Sequence, residues 1–414
     1  MDVLESPSTK QKLTNSINES SGSLSALKQT RWIFSLLGVW SMMTKNTTLF
    51  ERRLYLLIQI ISQVSINFII GPAFFHLYYC KMNIKMKIAL LGPVGFAVAC
   101  YTKYLTIIYR RREIYWCIKQ METDWNHIRN AQDNEIMTQN MEMGKKVTIL
   151  CATFMYTGGI SHQIMVPFLP GSIISILDNS TKRMLVYPIY DSIFDTQMTP
   201  IYEILYSSHI FTGVILCTIS TGACHLSILF ITHISGQNDI MIWKLENLIN
   251  NNDREEKNVN KRIAEIIRHH HAIIKFATNV EKSLREICLL AIIEALFIIC
   301  TAQYYSMTAW KNNETFGTII YLTLVEAFII NCFIFCHVGE LSKRQFHKVG
   351  EAAYMTEWNR LSLKNARAMF LIIAATQNPP KMTAGGLMEL SYNGFLSVLK
   401  TTAAYFNIMR MVEF

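Results

Sequence analysis

The chain has 414 residues and a formal net charge of +9, yet only 17% of it is charged and 51% is hydrophobic. Soluble domains carry about 25% charged residues, so the mean hydropathy of +0.21 argues against an ordinary soluble protein of this length. Runs of about 20 apolar residues recur along the chain, the length of helix that crosses about 30 Å of hydrocarbon, and no pattern of basic and aromatic residues suggests nucleic-acid binding.

Residues 1–30 are rich in Ser, Asn, Lys and Glu and have no apolar core of a signal peptide. They read as a disordered cytoplasmic N-terminus. The unit 31–231 follows. Its first stretch, Trp32 to Met43, is apolar but too short to span, and is predicted to lie along the interface. Four spans come next: Leu54 to Tyr79, Ile88 to Ile108, Val147 to Leu169 and Ile204 to Ile231. The third and fourth are joined by a loop, 171–200, whose Leu185-Val186-Tyr187-Pro188-Ile189-Tyr190-Asp191 suggests an ordered lid.

Residues 232–286 form a cytoplasmic connection with apolar residues at helical spacing (Ile240, Leu245, Leu248, then Ile263, Ile266, Ile267, Ile273) and a turn at Asn250 to Asp253. Spans four and five are therefore expected to continue as helices beyond the membrane. Spans five and six, Ile287 to Tyr305 and Gly317 to Val338, occupy 287–338. A cytoplasmic anchor segment, 339–382, contains an amphipathic helix from Leu361 to Ala375, broken by Gln377-Asn378-Pro379-Pro380. The final unit, 383–414, holds the seventh span, Gly386 to Met411. The predicted fold is an all-α polytopic membrane protein with seven helices and no internal repeat.

Of the 39 Lys and Arg residues, 30 fall in the segments on the N-terminal side of the membrane. By the positive-inside rule the N-terminus is cytoplasmic and the C-terminus extracellular. The basic residues then act as topological signals and contacts for anionic lipid. Two sequons, at Asn179 and Asn313, fall on outside loops and are candidate glycosylation sites; those at Asn18 and Asn46 fall inside.

The ten cysteines show no zinc spacing, and no cofactor or metal is implied. Cys332 and Cys336 read as packing residues. The run His269-His270-His271 points in different directions on a helix and reads as a solvated cytoplasmic face. Lys103 is expected to snorkel toward the cytoplasm, and Glu294 and Glu326 to pair with hydroxyls or cations between helices. There is no nucleophile–base pair, so the chain is not read as an enzyme.

A ligand site in such a bundle needs an apolar cavity with a few polar groups to orient the guest. Candidates are Phe96 in span two, Met155, Gly159 and His162 in span three, Tyr206, Ile210 and Phe211 in span four, and Thr301 and Tyr304 in span five. His162 and Gln163 are polar at membrane depth, which is costly without a partner. Packing is an alternative role for each. Burying roughly 300 Å² of a volatile at about 25 cal/mol/Å² gives about 7 kcal/mol, which sets affinity near micromolar.

In the last span Ser397, Thr401, Ala404, Tyr405, Ile408, Met411 and Val412 share one helical face. Arg410 points almost oppositely and Lys400 to the side. Repeated around a symmetry axis, Ile408 and Val412 would form stacked apolar rings, and such constrictions can gate by dewetting. The alternative is ordinary helix packing.

Thr383-Ala384-Gly385-Gly386-Leu387, Leu390-Ser391, Phe395, Ser397-Val398-Leu399-Lys400-Thr401 and Tyr405-Phe406 resemble the C-terminal signature of insect odorant receptors. Leu37-Gly38-Val39-Trp40, the Tyr-Pro-Ile-Tyr-Asp loop and the break at Asn378 to Pro380 are similar too. The resemblance implies a tetramer in which four final spans surround a cation pore, with gate positions falling on Ile408 and Val412. It implies an odorant-gated nonselective cation channel subunit in the dendritic plasma membrane of a sensory neuron. A volatile organic ligand and a shared co-receptor subunit, joined in a heterotetramer, would be its partners.

Met411 stands where the co-receptor has Gln, and the co-receptor's extended second cytoplasmic loop is missing, so the resemblance is to an odour-tuning subunit. Gustatory receptors fit less well, because their Thr-Tyr and Gln-Phe positions read Ala404-Tyr405 and Met411-Val412 here. A G-protein-coupled receptor is the other alternative. The charge bias opposes it, and neither Asp-Arg-Tyr after span three nor Asn-Pro-x-x-Tyr in span seven is present.

Overall fold

The computed structural model describes residues 27–44, 47–79, 84–165, 185–187, 198–249 and 256–412. The sequons at Asn18, Asn46 and Asn179, most of the 171–200 loop and the turn at Asn250 to Asp253 lie outside the described residues.

The described chain is mostly helical. Helix α1 covers 27–36 and α2 Trp40–Met43. Then come α3 (Leu49–Tyr79), α4 (Ile84–Tyr109), α5 (Arg111–His127), α6 (Ala131–Met165), α7 (Ile201–Glu246), α8 (Glu256–Lys311) and α9 (Thr315–Tyr354). A short helix α10 (Leu363–Gln377), a two-stranded hairpin of β1 (Thr383–Ala384) and β2 (Met388–Glu389), and α11 (Tyr392–Val412) complete it. Among the described residues five helices are long and apolar enough to cross a membrane: α3, residues Leu90–Tyr109 of α4, α7, residues Asn258–Lys311 of α8, and α9. Helices α6 and α11 fall within the regions of the predicted third and seventh spans but are not among those five.

Helix α7 has 46 residues and α8 has 56. At 1.5 Å per residue they are about 69 and about 84 Å long, more than twice the hydrocarbon thickness. Both run on without a break past the apolar stretches read from the sequence. Helix α7 is the centre of the bundle, buried on every side from Ile215 to Asn238 and packed against α6, α8, α9 and α4. Some of its hydroxyls bond within the helix: Thr218 donates to the Val214 carbonyl at 2.7 Å and Thr232 to that of Ile228 at 2.9 Å.

The predicted interfacial segment has two faces. Trp32 and Leu36 are exposed, whereas Phe34, Leu37, Val39, Trp40 and Met43 enter the core. Gly38 turns the chain between α1 and α2 at φ 70°, where a Cβ would sit 2.4 Å from the Tyr55 carbonyl oxygen. Helix α5 was absent from the sequence reading. Ile114, Cys117, Ile118, Met121 and Trp125 make its buried stripe.

Two histidines correct the solvated-face expectation. His270 is buried and His269 half-buried, with its Nε2 2.7 Å from Gln237 Oε1; only His271 is exposed. Helices α7 and α8 pack along their lower halves as well, so the run faces protein.

The last helix begins later than predicted, at Tyr392. Gly385 and Gly386, with φ of 63° and 74°, close the hairpin that occupies the first residues of the expected span. The hairpin is tied to α8: Gly385 N–H donates to the Arg285 carbonyl at 2.8 Å, and Thr383 Oγ1 to Glu281 at 2.7 Å. It is tied to α9 by Lys343 with Glu389 at 3.1 Å. Gly339 of α9 lies against Leu390, whose carbonyl oxygen would be 2.2 Å from any Cβ there. The entry to α11 is thus fixed by backbone contacts on two neighbouring helices.

Candidate functional site

Helices α4, α6, α7, α8 and α9, with Val186 and Tyr187 from the preceding loop, enclose a partly open cavity with about 80 Å³ open to the centre of a water-sized molecule. Its lining is mainly apolar and aromatic. Gly92, Pro93 and Phe96 come from α4; Met155, Gly159, His162 and Gln163 from α6; Cys217 from α7; Ile298, Thr301, Ala302 and Tyr305 from α8; Tyr321, Leu324 and Phe328 from α9. Small residues make the room. A Cβ at Gly92 would lie 3.3 Å from Thr301 Oγ1, and one at Gly159 would be 2.5 Å from Cys217 Sγ.

The polar groups are few. Gln163 Nε2 donates to the Tyr187 hydroxyl at 2.9 Å, which supplies the partner that the buried amide needs. Tyr187 is fully buried and meets the His209 ring edge to face at 5.3 Å. Gln163 Oε1 and the Tyr305 hydroxyl have no hydrogen-bond partner among the described residues. His162 packs its ring against Tyr321, centroids 5.9 Å apart, and Phe96 stands edge-on to Phe328 at 5.6 Å. Such a wall offers apolar area plus an acceptor and a hydroxyl to a small guest.

One turn below the cavity lies an ion pair. Lys103 and Glu294 are in direct contact, 1% and 3% exposed. Lys103 Nζ also donates to Ser220 Oγ at 2.6 Å, Ser220 donates to Glu294 Oε1 at 3.1 Å, and Cys100 Sγ lies 3.3 Å from the same oxygen. Lys103 therefore does not snorkel. A carboxylate one turn of α8 away from the cavity wall outbids the distant water, because each charge would be far costlier alone in a dry interior. Glu294 has the cation and hydroxyl partners expected of it, while Glu326 is exposed on α9.

The cavity wall is linked to the last helix. Tyr305 and Tyr321, 5.5 Å apart, form a buried cluster with Tyr304 and Ile320, and Met409 of α11 packs against that cluster. A turn deeper, Cys300 Sγ lies 3.5 Å from the Thr402 carbonyl oxygen. Val398 and Thr402 face inward. Tyr405, Ile408 and Met411 are open in the single chain, 55%, 55% and 72% exposed, and Thr401 is half-buried. Val412 ends α11, and its side chain is not among the described ones.

Of the ligand candidates, Phe96, Met155, Gly159, His162 and Thr301 line the cavity. Tyr304 stands behind the wall in the tyrosine cluster. Tyr206 stacks on Tyr202 and donates to the Ile164 carbonyl at 3.1 Å, Ile210 is half-buried and Phe211 is exposed; none of the three is in the lining. Missed residues include Tyr305, Tyr321 and Phe328. Tyr305 was legible, being four residues after Thr301 and so on the same helical face. Tyr187 was seen only as part of a lid. Asn313 sits in the turn between α8 and α9 with φ 60°.

Long apolar helices around an aromatic-lined cavity define a polytopic helical bundle with room for a small guest. The family model for the 7tm Odorant receptor matches residues 88–403, and the chain belongs to the insect odorant receptor family. It is a receptor and not an enzyme. Odorant receptor 13a of Drosophila melanogaster is 23% identical over 237 residues, 53% of this chain and 56% of that protein. Odorant receptor 22c of the same species is 23% identical over 158 residues, 38% of each chain. The chain thus aligns with only about half, or less, of the length of these relatives. The fold is similar to that of the insect olfactory receptor OR5 of Machilis hrabei, solved in complex with eugenol, with a TM-score of 0.73 at 12% identity, covering 94% of this chain and 99% of that one.

Proposed function

We propose that the chain is an odour-tuning subunit of an odorant-gated nonselective cation channel. It crosses the membrane seven times, with its N-terminus cytoplasmic and its C-terminus outside, in the dendritic plasma membrane of a sensory neuron. Four copies of α11, some contributed by a shared co-receptor, surround the pore. Thr401, Tyr405, Ile408, Met411 and Val412 line it, and Ile408 and Val412 form the gate. The lower halves of α7, α8 and α9 with α10 make the cytoplasmic anchor.

A volatile ligand occupies the cavity between Phe96, Gly159, His162, Thr301 and Tyr305. The observation that carries this reading is the buried cluster of Tyr304, Tyr305, Ile320 and Tyr321: Tyr305 and Tyr321 line the cavity, and Met409 of α11 packs against the cluster. A guest that repacks these two rings changes the seat of α11 without touching the pore. Opening requires only that it bind the open arrangement more tightly than the closed one.

The test is patch recording of the chain co-expressed with the co-receptor across a panel of volatiles, in wild type and Met409→Ala. Wild type should give odour-evoked cation currents that persist without cytosolic nucleotides. Met409→Ala should lower the maximal current severalfold with little change in ligand affinity. Current that depends on nucleotides, or a Met409→Ala variant with unaltered efficacy, would refute the coupling. Topology has its own check. Asn313→Gln should remove one glycan-sized mass step from the mature protein, and glycan at Asn18 or Asn46 would reverse the orientation.

A further inference from the structure

A second hollow, with about 390 Å³ open to the centre of a water-sized molecule, runs along the outside of the bundle between α3, α4 and α8. Its walls are Phe74 and Leu77 of α3, Leu91, Val94, Gly95, Val98 and Ala99 of α4, and Leu290, Ile293 and Phe297 of α8, with Thr102 and Glu294 as polar neighbours. Glu294 is already engaged by Lys103 and Ser220, so it offers no free charge. Leu91, Phe74 and Ile293 are exposed, on helices apolar enough to lie in a bilayer, so the hollow opens toward acyl chains.

Phe96 and Ile298 line both this groove and the inner cavity. Two side chains are therefore the shared partition between the inner cavity and the membrane-facing side. The partition is thin for a local reason. Gly95 has no Cβ, and one there would lie 2.6 Å from the Phe297 ring, so α4 and α8 approach closely just beside Phe96. On the cavity side Phe96 meets the Phe328 ring edge-on, with centroids 5.6 Å apart. An aromatic ring with a hollow behind it can swing on a single χ1 change, a motion of nanoseconds when unhindered.

We propose that apolar ligands reach the cavity laterally from the bilayer, through this groove and past Phe96 and Ile298. This rests on the reading of the inner cavity as the ligand site. The chemical argument is partition: a volatile that binds by apolar burial is already concentrated in hydrocarbon, and the groove continues that phase to the wall of the cavity. Phe96 then controls the rate of entry and exit, while the deeper wall sets the affinity.

The test uses the purified chain in phosphatidylcholine vesicles and a small iodophenyl diazirine, an apolar photolabel that dissolves in the bilayer. After rapid mixing, flashes at increasing delays are followed by peptide mass spectrometry. The inference expects prompt labelling of Ile293 in the groove and slower labelling of Phe328 and Tyr305 in the cavity. Filling the groove by Ile293→Trp, or independently by Ala99→Trp, should slow cavity labelling at least fivefold while outward residues Leu56 and Val64 of α3 label as before. Phe96→Ala should speed it. Unchanged cavity kinetics in both groove variants, or no cavity labelling in wild type, would overturn lateral entry. Met155→Trp separates the underlying reading, since it should abolish cavity labelling at every delay. If it does not, the cavity is not the apolar site, whatever the groove does. Currents are not needed for any of these readouts.

Discussion

Lys103→Met should destabilise the protein by about 3–5 kcal/mol, the usual cost of leaving one partner of a buried ion pair alone. Glu294 would keep one hydroxyl from Ser220 and the weak Cys100 thiol, but lose its countercharge while still buried. The pair joins α4 to α7 and α8 directly below the cavity, so its loss should loosen the three helices that carry Phe96, Cys217 and Thr301. Thermal unfolding in detergent, followed by fluorescence-detected size exclusion, measures the effect. The double variant Lys103→Met with Glu294→Leu should recover most of the loss, because an apolar pair of similar volume removes both desolvation costs. A single variant that melts like wild type would mean that the two groups do not hold opposite charges in the folded protein.

Filling the cavity should be the most damaging change to response. Gly159→Leu places a branched side chain in the space between α6 and α7, and Met155→Trp adds volume from one turn below it. A guest denied the cavity forfeits the apolar burial worth about 7 kcal/mol. The odour concentration for half-maximal current should rise more than 100-fold in either variant, with surface delivery intact. The Gly159 change also presses on Cys217 Sγ, so Met155→Trp, whose side chain does not start from that contact, guards against a folding defect. Surface-labelled channels with normal sensitivity in both variants would remove this cavity from the mechanism.

The helical architecture was legible because apolar runs and helical spacing are local properties. The continuation of α7 and α8 past the apolar stretches could be read from Ile240 to Leu248 and from Ile263 to Ile274. Helix α5 carried an equally plain signal in Ile114, Ile118, Met121 and Trp125, but its charged outer face hid it from a search for apolar runs. The start of α11 was misread because Gly385 and Gly386 stand in an apolar context, and only their positive φ shows a hairpin.

Of the candidate residues, Phe96 on α4, Met155, Gly159 and His162 on α6 and Thr301 on α8 line the cavity, because membrane depth alone brings those spans together there. Tyr206, Ile210 and Phe211 were carried in by the same criterion, although the rotation of α7 turns other residues to the cavity. Rotation of a buried helix is set by its neighbours, here by Gly213 resting on Gln163 and Gly159 on Cys217. The destination of Lys103 was likewise a tertiary fact. Sequence distance of 191 residues separates it from Glu294, and no spacing rule joins them.

The central claim is that the open face of α11 meets water in a pore and that ligand in the cavity controls it. The most direct measurement is aqueous thiol modification of Thr401→Cys and Ile408→Cys in complexes with the co-receptor, recorded with and without odour. The account predicts that both cysteines react when odour is present and the channel conducts, that current is altered as they react, and that Ile408→Cys reacts far more slowly at rest. Cysteines that stay unreactive in conducting complexes would contradict it.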